Sequence, residues 1–344
     1  MQELKDPWIS SCSAPSIHVS RWRAPQCNSQ CTLTGMVDLE SLAAFDCLQW
    51  LRTGDSAAQL LGCSQSTVSR STKRCQEAFG VRLVKRAAEW HVQGDGTLLN
   101  AERRVHQLHR WSADLPLRLD CQHWLRHVYG ELDLAGWVTG NLNYLEYERP
   151  LQLLRERVID AWICSAPDHP QEPDLVAVRL CSMPSLLVAR ASHPLLRHGA
   201  SLPLEAATRY PLLPLPAQAF PVFQKVLEDL GFHSDFRGLP ALATELGHDP
   251  QAAEDLALGV ASPLTLPLYG DDWRPLPLTL PVSVGDVVML RADLASHPRA
   301  EALIHALAMR LDSLAALGAQ MEVLVDVAAE RLPAPDRGVA GGAT

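Results

Sequence analysis

The sequence predicts an α/β multidomain protein that opens with a winged helix-turn-helix and continues through a linker helix. Three observations carry this. Residues 64–80 (SQSTVSRSTKRCQEAFG) form a capped amphipathic helix with a basic outer face. A short basic strand pair follows. From Pro116 onward the chain turns Leu- and Pro-rich, with short apolar strands alternating with helices.

Composition sets the limits. With 344 residues, 47% hydrophobic and 20% charged, the chain can bury more than one core. No apolar run reaches membrane length, and MQELKDPWISSCS lacks the basic-then-apolar order of a signal peptide, so a cytoplasmic protein with no membrane partner is expected. The nine cysteines show no CxxC pairing and read as reduced thiols, several of them core residues. Residues 1–35 are rich in Ser, Pro and Cys without an apolar period and read as a disordered or non-native extension, with Met36 as the expected natural start. Cys27 and Cys31 near Cys12 and His18 also admit a metal cluster, but nothing orders them, and no metal or cofactor is expected.

From Asp38, a helix cap, Leu39, Leu42, Phe45 and Leu48 recur at helical spacing until Thr53-Gly54. Residues 56–61 make a short small-residue helix, and Gly62 supplies the tight turn before Ser64, whose hydroxyl caps the next helix. Val68, Thr72, Cys75 and Phe79 fall on one face of that helix. Gln65, Ser66, Ser69, Arg70 and Lys73 on the other are candidates for contacts to base edges in a DNA major groove. Residues 81–86 with partner strand 89–92 form a wing that offers Arg82, Lys85 and Arg86 to phosphates. A solvated helix explains the same basic face, so the charge distribution matters. The net charge is −9, yet residues 66–90 carry six basic and two acidic side chains, while residues 114–344 carry −12.

Ala57-Ala58, Leu61, Ser64-Gln65-Ser66, Val68-Ser69-Arg70 and Gly80-Val81-Arg82-Leu83 through Arg86 resemble, without a gap, the DNA-binding domain of LysR-type transcriptional regulators. Thr72, Cys75-Gln76 and Val84 depart from the usual residues of the buried side, which marks a divergent member. The resemblance implies a linker helix over 96–113 that dimerises, and Leu98, Ala101, Val105 and Leu108 provide an apolar seam for it. A helix packed on its own domain is the alternative. His106 and His109 on this helix read as solvated surface.

Strands are expected at 117–121, 136–139, 159–163, twice within 176–190, at 210–215 and at 287–291. Helices are expected at 151–157, 220–230, 299–311 and 314–330. RERVIDAWIC and the ASHPLL turn resemble the family's effector-binding domain, which implies a two-subdomain, periplasmic-binding-protein-like α/β fold holding a small molecule between its halves. The expected division is 36–95 for the winged helix-turn-helix, 96–113 for the linker and 114–325 for the effector domain, with a tail at 326–344. Subdomain I takes about 116–191 and 291–325, and subdomain II about 192–290. By position in the resembled family, Cys121, Gln122, His123, Gly140, Asn141, Ser165 and Ser262 would face the effector.

No paired carboxylates, GxSxG elbow, P-loop or HExxH appears, so no residue supports catalysis. The expected function is a non-enzymatic regulator that binds double-stranded DNA as a homodimer or homotetramer and answers to a small-molecule effector. The alternatives are a small-molecule binding protein with a degenerate DNA-binding domain and an enzyme with an appended helix-turn-helix.

Overall fold

The computed structural model describes residues 37–325. The expectations for 1–35, for a start at Met36, for the Cys12, His18, Cys27 and Cys31 cluster and for the 326–344 tail lie outside the described residues.

Three helices open the fold: α1 (Leu39–Leu51), α2 (Gly54–Leu61) and α3 (Gln65–Phe79). Asp38 caps α1, its carboxylate accepting from the Ser41 N–H at 2.6 Å. Gly62 (φ +64°) closes α2 in the left-handed region, where a side chain would be strained. Leu42, Phe45, Cys75 and Val81 bury the small core beneath them. The wing is an antiparallel pair, β1 (Arg82–Arg86) and β2 (Glu89–Gln93), turned by Ala87 and Ala88 at φ +46° and +68°. Such two-residue hairpins need positive φ at both positions, and alanine adopts it at a cost that Asn-Gly avoids.

The linker helix α4 (Thr97–Ser112) has inverted amphipathy. Its buried face carries Arg103, His106, Gln107 and Arg110 beside Leu99 and Trp111, while Leu98, Ala101, Val105 and Leu108 face solvent. His106 is therefore not the surface residue expected from sequence. The polar face of α4 lies against the rest of the chain, and burial lowers the pKa of the His106 imidazole even though Asp46 and Glu102 raise it.

The remainder forms an eight-stranded sheet with helices. β3 (Leu117–Cys121) leads through α5 (Arg126–Tyr129) to β4 (Trp137–Thr139), then α6 (Glu148–Arg155) and β5 (Ala161–Ala166), with β3 parallel to both β4 and β5. β6 (Leu175–Arg179) and β7 (Cys181–Arg190) follow, then α7 (Leu204–Ala207), α8 (Pro221–Asp229), α9 (Leu239–Glu245) and β8 (Gly259–Ala261). β9 (Trp273–Arg291) pairs antiparallel with β5, β6 and β7. α10 (Pro298–Ala316) precedes the edge strand β10 (Glu322–Val323) on β7. β7 and β9 run from a core holding Cys181, Met183, Val288 and Leu290 into a second one holding Leu187, Ala189, Leu276 and Leu280. Two lobes thus share these two strands.

Three expectations change. β9 begins at Trp273 rather than at 287, the strand at 210–215 shrinks to the single bridge Leu212–Leu258, and α10 stops at Ala316 ahead of Gly318 (φ +104°). Among the described residues a β-strand, not a second helix, follows, and the part of that expectation over 326–330 lies outside them.

The three N-terminal helices do not stand apart from the first lobe. Trp50, Leu51, Ala57 and Val68 share one buried cluster with Tyr144, Leu153, Trp162 and Met289. Burying apolar area at about 25 cal/mol per Å² makes this a cohesive junction rather than a loose tether.

Candidate functional site

The outer face of α3 follows directly from its cap. Ser64 Oγ accepts from the Thr67 N–H at 3.2 Å, which starts the helix with Val68, Thr72 and Cys75 inward. Gln65, Ser66, Ser69, Arg70 and Lys73 are left in solvent, and Arg82, Lys85 and Arg86 on β1 are exposed as well. Their existing contacts are weak. Arg70 bends over its own helix, donating to the Ser66 carbonyl at 3.3 Å and to Thr67 Oγ1 at 3.4 Å, and Lys73 lies 3.8 Å from Glu77 with both side chains exposed. Lys85 rests over the Trp90 ring at 5.4 Å. Arg74, on the same helix, is committed elsewhere: it donates to Asp38 at 2.6 Å and ties α3 to the start of α1.

On the opposite side, α1 and β2 meet the first lobe. Trp50 Nε1 donates to Asp120 Oδ2 at 2.6 Å, Tyr144 Oη to the Trp50 carbonyl at 3.3 Å, and Asn141 Nδ2 to the Leu51 carbonyl at 3.0 Å. Gly140 is glycine for steric reasons here: a Cβ would sit 2.2 Å from Asp120 Oδ2 and 2.5 Å from Trp50 Nε1. Burial pushes the Asp120 carboxyl up to about 7, although the hydrogen bonds from Trp50, Cys121 N–H and Leu142 N–H oppose it. Arg149 donates to the Trp90 carbonyl and lies 3.5 Å from Glu89, which also pairs with Arg52.

The linker helix completes this junction with charge. Arg103, 1% exposed, donates to Asp46 at 2.8 Å, to Glu156 at 3.0 Å and to Gln49. Asp160 accepts from Gln107 at 2.8 Å, Trp111 Nε1 at 3.1 Å, Arg110 at 3.2 Å and the Arg118 N–H at 2.9 Å. Burial raises the Asp160 pKa, but Arg110, Arg118 and the Gln107 and Arg118 hydrogen bonds outweigh it, so this carboxyl stays below the ordinary range.

Between the two lobes lies a cavity of about 70 Å³. Of the seven residues expected to face an effector, Ser165 and Ser262 line it. Gln122 stands behind the wall, its Oε1 accepting from the Ser165 N–H at 2.9 Å. Cys121 is buried in the first-lobe core, His123 hands its N–H to the Tyr144 carbonyl, and neither lines the cavity. Gly140 and Asn141 face α1, because the loop after β4 turns toward the N-terminal helices. Sequence reasoning missed Trp124, Asp168, Phe220, Thr265 and Asp286 in the lining. Trp124 Nε1 donates to Ser165 Oγ at 3.0 Å, and its ring lies 4.6 Å from that of Phe220. Asp168 accepts from the N–H groups of Val222 and Phe223 at 2.6 and 3.4 Å, joining the first lobe to the start of α8 in the second. A wider groove of about 570 Å³ along 182–184, 279–283 and 320–322 contains none of the expected residues. No group of three metal-ligating side chains occurs among the described residues.

Two family models match the chain: the bacterial regulatory helix-turn-helix of the lysR family over residues 39–92, and the LysR substrate-binding domain over residues 138–312. The chain belongs to the LysR family. As a LysR-family protein it is a DNA-binding transcriptional regulator with an effector-binding domain, not an enzyme. Among solved structures, a full-length OxyR variant from Pseudomonas aeruginosa shares the fold at 17% identity, with 80% of this chain and 95% of that one covered and a TM-score of 0.50. A hydrogen peroxide-bound OxyR mutant from Corynebacterium glutamicum aligns at 16% identity over 82% and 96%, TM-score 0.42. Full-length CbnR complexed with its target DNA aligns at 15% over 79% and 99%, TM-score 0.41. No curated protein matches the chain by sequence. No helix among the described residues is long and apolar enough to cross a membrane.

Proposed function

We propose that this LysR-family protein binds promoter inverted repeats as a homodimer that assembles into a homotetramer in the cytoplasm, and that a small-molecule effector occupies the cavity between its lobes. Gln65, Ser66, Ser69, Arg70 and Lys73 meet base edges while Arg82, Lys85 and Arg86 hold phosphates. One observation carries the reading: all eight side chains are exposed and lightly engaged, on a domain whose other side is buried against the first lobe. The α4 stripe supports pairing of two chains. Leu98 is 66% exposed and Val105 61%, on a helix whose polar face is already used within the chain. Two chains so joined would present two α3 helices to a two-fold symmetric site. The division into 36–95, 96–113 and 114–325 follows as part of the same reading.

The test is selection of genomic fragments by the full chain at two salt concentrations, since nonspecific phosphate binding fades steeply with salt. An inverted repeat that stays enriched at the higher salt is expected. Absence of enrichment at both would favour a small-molecule binding protein with a degenerate DNA-binding domain. In sedimentation, Val105→Lys should shift the assembly toward monomer; an unchanged mass would remove α4 from the interface.

A further inference from the structure

The charge lining the interlobe cavity has one sign. Asp168 and Asp286 are its ionisable lining residues, and no Lys, Arg or His lines it. Asp286 sits on β9 opposite Ser165 of β5 and is 2% exposed. Tyr129 Oη donates to its Oδ2 at 2.6 Å, and among the described residues no other hydrogen bond and no basic side chain reaches the carboxylate. Its other oxygen, at the cavity wall, accepts no hydrogen bond from any described residue and is open to the cavity rather than sealed in protein. Asp168, by contrast, is satisfied by the two N–H groups at the start of α8.

A carboxylate withdrawn from water without a counter-charge is costly, and proteins resolve it by protonation or by a bound cation. Burial does push Asp286 up to about 6, against the pull of the Tyr129 hydrogen bond. The rest of the wall suits an organic cation over a hydrated metal ion. Trp124 and Phe220 present adjoining rings, apolar surface against which an alkyl chain is removed from water. Met183 and Leu125 supply apolar surface, and the hydroxyls of Ser165, Ser262 and Thr265 can accept from N–H groups. Drug-sized ligands need roughly 300–1,000 Å³. A cavity of about 70 Å³ takes a few non-hydrogen atoms.

We infer that the cavity binds a small primary alkylammonium ion, its ammonium group on Asp286 and its alkyl chain against Trp124 and Phe220. This rests on the reading of the same cavity as the effector site and adds the sign and size of the ligand. An anionic effector would meet two carboxylates and no base.

Calorimetric titration of the full chain with n-propylammonium chloride, n-propanol, sodium propionate and n-octylammonium chloride, at matched ionic strength and pH 7.5, tests it. Saturable binding of n-propylammonium alone is expected. Asp286→Asn should weaken it at least tenfold; Tyr129 can still donate to the amide oxygen, so the variant should fold, and its melting curve checks this. If it does not fold, the wild-type discrimination between n-propylammonium and the three other probes decides. Binding of propionate or propanol in place of the amine would overturn the cationic class while leaving the cavity an effector site. Equal binding of octylammonium, or no binding by any probe, would overturn the proposal outright, whatever the DNA selection returns.

Discussion

Asp160 and Asp286 lie on the same lobe, 1% and 2% exposed, in opposite electrostatic surroundings. Asp160 is met by Arg110, Gln107, Trp111 and the Arg118 N–H, and its carboxyl is held below the ordinary range. Asp286 is met by one tyrosine hydroxyl and is pushed up to about 6. The first belongs to a joint between linker helix and lobe, where both charges are present and the geometry is fixed. The second borders a space. Buried charges that hold a fold together come with their partners, whereas one that waits for a ligand can lack them until it arrives.

The comparison breaks most sharply at the joint. Arg103→Ala leaves Asp46, Glu156 and Gln49 without their shared donor, and removing one partner of a buried pair typically costs about 3–5 kcal/mol. Denaturant unfolding should show a loss of that size. A loss below about 1 kcal/mol would mean that Arg118, 3.5 Å from Asp46, suffices alone.

Asp286 should respond the other way. Its folded pKa of about 6 lies above the roughly 3.9 of an unfolded aspartate, so the folded state holds the extra proton and stability falls as pH rises from about 4 to about 6. Asp286→Asn removes that decline. Without ligand, the variant should exceed the wild type at pH 8 by on the order of 2 kcal/mol and match it near pH 4. A variant less stable than the wild type at pH 8 would show that the carboxylate has an intramolecular role that Tyr129 does not account for.

The same contrast explains what could be read from the sequence. Local features were legible: the Asp38 and Ser64 caps, the Gly62 turn, the exposure of Arg70 and Lys73, and strand β3 at its observed bounds. The first half of β9 was hidden because Pro275, Pro277 and Pro281 argue against a strand, yet β9 tolerates them with Pro275 opposite Val188. The polar face of α4 looked like surface because its partners, Asp46 and Asp160, lie some 50 residues away on either side. Gly140 and Asn141 were assigned to the cavity by position. Only the approach of Trp50 to Asp120, across 70 residues, shows why that loop faces α1 instead. Asp286 carried no local signal, since a lone acid in an apolar strand announces neither a cavity nor a missing base.

The proposed DNA face allows a finer division between positioning and reading. Arg70 lies on the first half of α3, where a guanidinium can meet a guanine edge with two hydrogen bonds. Its present bonds to Ser66 and Thr67 are long and exposed, so they release at little cost. Arg70→Ala should weaken binding to the selected site by about 1–3 kcal/mol and relax preference at one base pair, leaving binding to unrelated DNA nearly unchanged. In the proposed reading Lys85, over Trp90 on the wing, meets a phosphate, which carries no sequence information. Lys85→Ala should weaken every DNA alike and lower the slope of log K against log salt by about 1. The two variants thus separate on different axes, one in sequence preference and one in salt dependence. If both moved the salt slope and neither moved the preference, α3 would be an electrostatic face like the wing, and the reading of bases would have to come from elsewhere on the domain.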